Sequence, residues 1–219
     1  MKILAVRAAK AIWLVPTAFM NPKGRYIYAD IAAIRDRYSF LKSPLDKKLP
    51  PDHDDGYKFE NGAFQIKNVD IEIVLFAMHL DGIVVETMSS TDDSELFLND
   101  FFVWATKELG FAKATDLPFK KIYSNELNFT LDKSPAFLNP ALSSFFEAAN
   151  SAIGKEAAGG SDFVQATIGT DVTRNKSQQT FTIAREINTA IGDNRYHSFA
   201  STTTKAHIAI LEKLEKLTN

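Results

Sequence analysis

Apolar residues recur along this chain at two spacings, every second residue and every third or fourth, and the switches between them outline its elements. The clearest helix lies in SSTDDSELFLNDFFVWATKELG, where Leu98, Phe101, Phe102, Ala105 and Leu109 share a face and Gly110 marks the stop. Ser90, Thr91, Asp92 and Asp93 put hydroxyls and negative charge at its start, where free N–H groups and the helix dipole favour them. NPALSSFFEAANSAIG predicts a second helix: Asn139 caps it, Pro140 takes the first position and Gly154 ends it. Its face is Leu142, Phe145, Phe146, Ala149 and Ile153. A further helix closes the chain, with Ile210, Leu211, Leu214 and Leu217 on one face and His207 one turn earlier on the same face. In DIAAIRDRYSFL, Ile31, Ile34, Tyr38 and Leu41 stand at helical spacing behind Asp30.

The two-residue period predicts the strands. YKFENGAFQI reads as two short strands joined by a type I′ turn at Asn61-Gly62. NVDIEIVLFAMHLDGIVVETM places Val69, Ile71, Ile73, Leu75 and Ala77 on one face. Its other face turns apolar at Val74, Phe76 and Met78, as in a strand covered on both sides. Asp81-Gly82 closes a hairpin to Ile83, Val85 and Thr87. KIYSNELNFTL adds a strand, and FVQATIGTDV and TFTIAREI form a hairpin around TRNKSQQ. Residues 1–28 fit helix or strand, although Pro16 and Pro22 exclude one long helix.

From residue 57 the predicted order is β-β-β-β-α-β-α-β-β-α. Hairpins outnumber β-α units, so the expected class is α+β: a mainly antiparallel sheet of about six to eight strands with three or four amphipathic helices packed on one face. No repeat of fixed period is visible, which argues against a solenoid or propeller. A single domain over residues 1–219 is expected. The proline- and charge-rich loop 42–56 is the place where a small N-terminal subdomain, residues 1–50, would part from the rest.

Composition narrows the classes of function. The 219 residues are 45% hydrophobic and 24% charged, ordinary values for a folded soluble chain. A net charge of −2 supplies no long-range attraction to nucleic acid or anionic membrane, so neither partner is expected. No apolar run reaches the length of about 18 residues that a membrane span requires. Arg7 and Lys10 interrupt the apolar N-terminus, which favours a buried element over a signal peptide and makes a cytoplasmic protein the expectation. Cysteine is absent, which removes disulfides, thiolate zinc sites and a cysteine nucleophile.

Candidate chemistry gathers in NRYHSFASTTTKAHIAILEKLEKL. The start of the last helix offers free N–H groups that attract phosphate. Arg195 and Arg185 could add bidentate donors, Ser201 and Thr204 hydroxyls, and His197 or His207 an acid or base that titrates near neutrality. The competing reading is a helix cap, in which the threonines accept from those N–H groups and His207 is half-buried against a loop carbonyl. Asp52, His53, Asp54 and Asp55 are weak candidates for a divalent metal, since their spacing fits neither an EF-hand nor HExxH. No phosphate loop, dinucleotide fingerprint or nucleophile elbow occurs, and no cofactor is expected. Seventeen phenylalanines exceed the predicted helix faces, and an open sheet has edges to cover. The leading expectation is therefore a non-enzymatic binding or accessory module acting through a protein partner or homo-oligomerisation. The alternative is a protein that binds, and as a hydrolase cleaves, a phosphate compound or nucleotide at the start of the last helix.

Overall fold

The computed structural model describes residues 1–24, 30–46, 56–66, 69–135, 148, 151, 165–170 and 179–218. Its strands are β1 (Lys2–Leu14), β2 (Tyr57–Ile66), β3 (Val69–His79), β4 (Gly82–Thr87), β5 (Lys120–Thr130), β6 (Gln165–Gly169), β7 (Thr180–Arg185) and β8 (Arg195–Ala200). They form one eight-stranded antiparallel sheet in the order β2-β3-β4-β1-β5-β8-β7-β6. Four helices are described: α1 (Thr17–Met20), α2 (Ile31–Arg37), α3 (Thr91–Glu108) and α4 (Thr204–Thr218). The fold is α+β.

The strand order repeats one connectivity. Outward from β1 come β4, β3 and β2, and outward from β5 come β8, β7 and β6. Each three-strand run is consecutive in the chain and leads into a helix, β2-β3-β4 into α3 and β6-β7-β8 into α4. Thr91 and Thr204, which open the two helices, lie 113 residues apart, and Gly82 and Arg195, which open the preceding strands, share that offset. Thr91/Thr204 and Leu98/Leu211 agree, but most residues at matching positions differ, so the repeat is chiefly one of topology.

By compactness the chain divides into two units, one holding residues 8–125 with 202–204 and the other residues 1–7, 126–201 and 205–219. In the first, Ala9, Ala11 and Trp13 of β1 are buried at alternate positions, as the strand period demands. Trp13 stacks on Phe102 with ring centroids 5.7 Å apart. Phe76, Phe97 and Phe101 pack at 4.8–5.2 Å in tilted and edge-on pairs. The predicted face of α3 is buried in full, and Ser90 caps the helix by accepting from the Asp93 N–H at 3.1 Å. In the second unit Leu127, Phe129, Leu131, Ile183, Tyr196 and Leu211 form the core.

Several expectations give way. The ambiguous N-terminal stretch resolves as β1. Asn61-Gly62 is not a turn: β2 runs through it and pairs with β3 from Tyr57↔Met78 to Ile66↔Val69. Asn61 does take the positive φ of 55° that such a pair favours, but inside a strand. Gly62 is needed there because a Cβ would lie 2.5 Å from ring carbons of Phe40. Helix α2 stops at Arg37, Ser39 turns to φ 50°, and Leu41 ends 78% exposed instead of on the apolar face. On α4 the buried face is His207, Leu211 and Glu215 with Ile208 and Leu214 beside it, while Ile210 and Leu217 turn to solvent. His207 and Leu211 lie on the buried face as expected, while the polar Glu215 takes a place on it that the apolar spacing did not mark. Apart from helical Ala148 and Ser151, the helix predicted over 139–154 lies outside the described residues.

Candidate functional site

The first part of the segment that carried the candidate chemistry is strand, not loop, and the rest is the last helix from Thr204. Residues 195–200 form β8, paired with β7 from Phe181↔Ala200 to Arg185↔Tyr196. A strand sends successive side chains to opposite faces. Tyr196, Ser198 and Ala200 are buried and point toward α4, where Ser198 meets His207. Arg195, His197 and Phe199 point the other way. The alternation therefore parts Arg195 and His197 from His207.

On the α4 side, His207 Nε2 lies 2.7 Å from Ser198 Oγ, and both residues are fully buried. The Ser198 hydroxyl donates to the Thr182 carbonyl at 2.7 Å, which places the imidazole proton on Nε2 as donor to Ser198. Phe181 meets the imidazole edge-on at 5.6 Å. Burial, and secondarily the charge of His197, pushes the His207 pKa down to about 4, so the ring is neutral near pH 7. The atoms are those of a nucleophile and its base, but the serine proton is engaged by a backbone carbonyl and neither residue is exposed to solvent. The arrangement locks α4 onto β8.

On the other face, His197 Nε2 lies 3.3 Å from Glu126 Oε2 of β5. Arg195 Nε approaches Glu186 Oε2 to 2.8 Å as an ion pair whose N–H is not aligned on the oxygen. Asn128 donates to the other Glu186 oxygen at 3.3 Å. Back on the α4 side, Arg185, the cross-strand partner of Tyr196, brings Nη2 to that tyrosine's hydroxyl at 3.1 Å, with its guanidinium 5.1 Å from the ring centre. The Ser201 hydroxyl accepts from the Thr180 N–H at 3.1 Å.

Thr204 is fixed by a reciprocal pair. Its hydroxyl oxygen accepts the Thr91 N–H at 3.0 Å, and the Thr91 hydroxyl oxygen accepts the Thr204 N–H at 2.9 Å. Both residues are buried. Each threonine thus serves the first N–H of the other's helix, one of the groups a helix leaves unpaired. Close by, Ser94 donates to the Ala9 carbonyl at 2.9 Å and lies 3.0 Å from the Thr87 hydroxyl.

Each of the six candidate residues thus has a protein partner, and the six partners are different residues: Tyr196, Glu186, Glu126, Thr180, Thr91 and Ser198. Sequence reasoning singles out Ser198 and Glu186 near the cluster and Thr91 at the start of α3, but it pairs none of them with the candidate each one holds, and it misses Glu126. Glu126 and Thr91 come from segments far away in the chain, and no local pattern joins them to β8 or α4. Asp52, His53, Asp54 and Asp55 lie outside the described residues. Among the described residues, no three His, Asp or Glu side chains converge as a metal site. No described helix is long and apolar enough to cross a membrane. No family model matches the sequence, and neither a curated protein nor a solved structure matches the chain.

Proposed function

We propose that this chain is a non-enzymatic binding module that works through protein contacts, with its helices on one face of the sheet. The observation that carries this reading is a contrast. The polar groups where chemistry was expected are turned inward on one another, as in Ser198–His207 and Thr91–Thr204. Large apolar side chains are turned outward instead, among them Ile168 at 68% and Ile187 at 84% exposure. The one-faced arrangement of helices is supported in the first unit by register. Trp13, Val85 and Phe76 are buried toward α3, whereas Ile12 and Val84, paired across β1 and β4 on the opposite face, are only half-buried.

Native mass spectrometry tests the reading, on the purified chain over a range of concentrations and after incubation with lysate of its source cells. Assemblies heavier than the 24.4 kDa chain are expected. A strict monomer in both conditions would remove the proposal. A melting-temperature shift with phosphate, sulfate or nucleotides, lost in Arg195→Ala, would replace it with the anion-binding reading. At about 100 times its dissociation constant a ligand adds roughly 2.7 kcal/mol to the folded state, which moves the melting point by degrees.

A further inference from the structure

Resting on the protein-contact reading, we propose that β6 is the contact strand and that its partner is β6 of a second copy, paired antiparallel about Thr167. The two ends of the sheet are treated differently. At the β2 end the chain covers its own edge: Lys42 and Glu60 exchange backbone hydrogen bonds at 3.2 and 3.0 Å. Leu41 donates to Asn61 at 3.1 Å, and Ala63 donates to Tyr38 at 2.8 Å. At the other end, all five residues of β6 are exposed. Among the described residues, no backbone bond reaches its outer side.

Register shows what that outer side offers. Thr170 donates to the Gln179 carbonyl at 3.0 Å, which makes residues 170 and 179 a hydrogen-bonded pair. Antiparallel pairs alternate, so Ile168/Phe181 and Ala166/Ile183 are bonded pairs too. The N–H and C=O groups of Gln165, Thr167 and Gly169 therefore point away from β7. The far side of β7 agrees, since the Thr180 carbonyl accepts from Ser201 there, at 2.9 Å.

The strand is complementary to itself. With the two-fold axis at Thr167, Gln165 faces Gly169 of the second copy, and the two Thr167 residues face each other. Ala166 faces Ile168, small against large on one side of the sheet. About six backbone hydrogen bonds form at full pairing. The sequence QATIG carries no charge to repel its copy and no lysine, proline or bulge of the kind that guards natural edges. A charged peptide would find no matching charge on it. Five residues bury little area, so the dimer is weak and concentration-dependent.

Sedimentation equilibrium of the full chain tests this from about 1 µM to about 200 µM, the range suited to a small interface. The average mass is expected to rise from 24.4 kDa toward twice that value. Thr167→Pro removes an N–H that β7 does not use, so it should keep the fold and weaken dimerisation at least tenfold, as an edge strand tolerates proline. Ile168→Lys should do the same through charge and lost packing. If Thr167→Pro proves misfolded by circular dichroism, Ile168→Lys decides. A wild-type chain that stays at 24.4 kDa overturns the inference, and the binding reading then stands or falls on the lysate experiment. A dimer untouched by either substitution overturns β6 as the contact while leaving the binding reading in force.

Discussion

His207 and the paired threonines show what buried polar residues do when they are satisfied. A neutral histidine with a folded pKa of about 4 and an ordinary value of 6.5 binds fewer protons folded than unfolded between those limits. Its stabilising share is therefore complete above pH 6.5 and is lost as pH falls toward 4, on the order of 3 kcal/mol in all. Urea unfolding at pH 7.5 and at steps down to pH 4.5 should show this slope, and His207→Gln, which keeps a donor toward Ser198 but cannot titrate, should flatten it. An unchanged slope in that variant would assign the acid sensitivity elsewhere. Thr91→Val and Thr204→Val each leave the other helix's first N–H buried without its acceptor, at a cost of about 1–2 kcal/mol. Because the two bonds hold one another in place, the double variant should cost less than the sum by about 0.5–1 kcal/mol. Strict additivity in the double-mutant cycle would mean that the bonds act independently.

Elements were legible where burial was one-sided and apolar. The face of α3 follows from the 3.6-residue period alone, and its cap from Ser90. Strand β8 was missed because its inward residues are Tyr196, Ser198 and Ala200, and the serine hides the alternation. The candidate residues are parted for the same reason, since residues close in sequence lie on opposite faces once the segment is extended. Residues that hold the candidates, Glu126 and Thr91 among them, are 71 and 113 positions away, beyond any local pattern. Asn61-Gly62 was misread for a related reason. The pair signals a positive φ, which a hairpin needs, but here the glycine answers to a ring pressed against the strand. Gly62→Ala should therefore cost on the order of 1–3 kcal/mol by overpacking against Phe40. The same variant on a Phe40→Leu background should cost less, which a pair of thermal melts would read. An equal cost in both backgrounds would point to the backbone of β2 instead of the ring.

At the scale of the whole molecule, charge decides how an association through β6 would respond to its surroundings. The chain carries a net charge of only −2, so two copies approach with little long-range repulsion. The residues that meet are uncharged, and the bonds between them are backbone hydrogen bonds, with two small symmetry-related apolar contacts. Salt screens interactions between exposed charges over about 10 Å at 0.1 M and about 3 Å at 1 M, but it has nothing of that kind to screen here. The dimerisation constant should accordingly change less than about threefold between low and high sodium chloride, apart from a slight strengthening in salts that are excluded from protein surfaces. A dimer held instead by exposed ion pairs, such as those of Lys42 with Glu60 or Arg35 with Asp36 exchanged between copies, would weaken strongly over the same range. Sedimentation at several salt concentrations separates the two cases. A steep salt dependence would move the contact from the neutral strand to a charged surface, even if the mass of the assembly were the one expected.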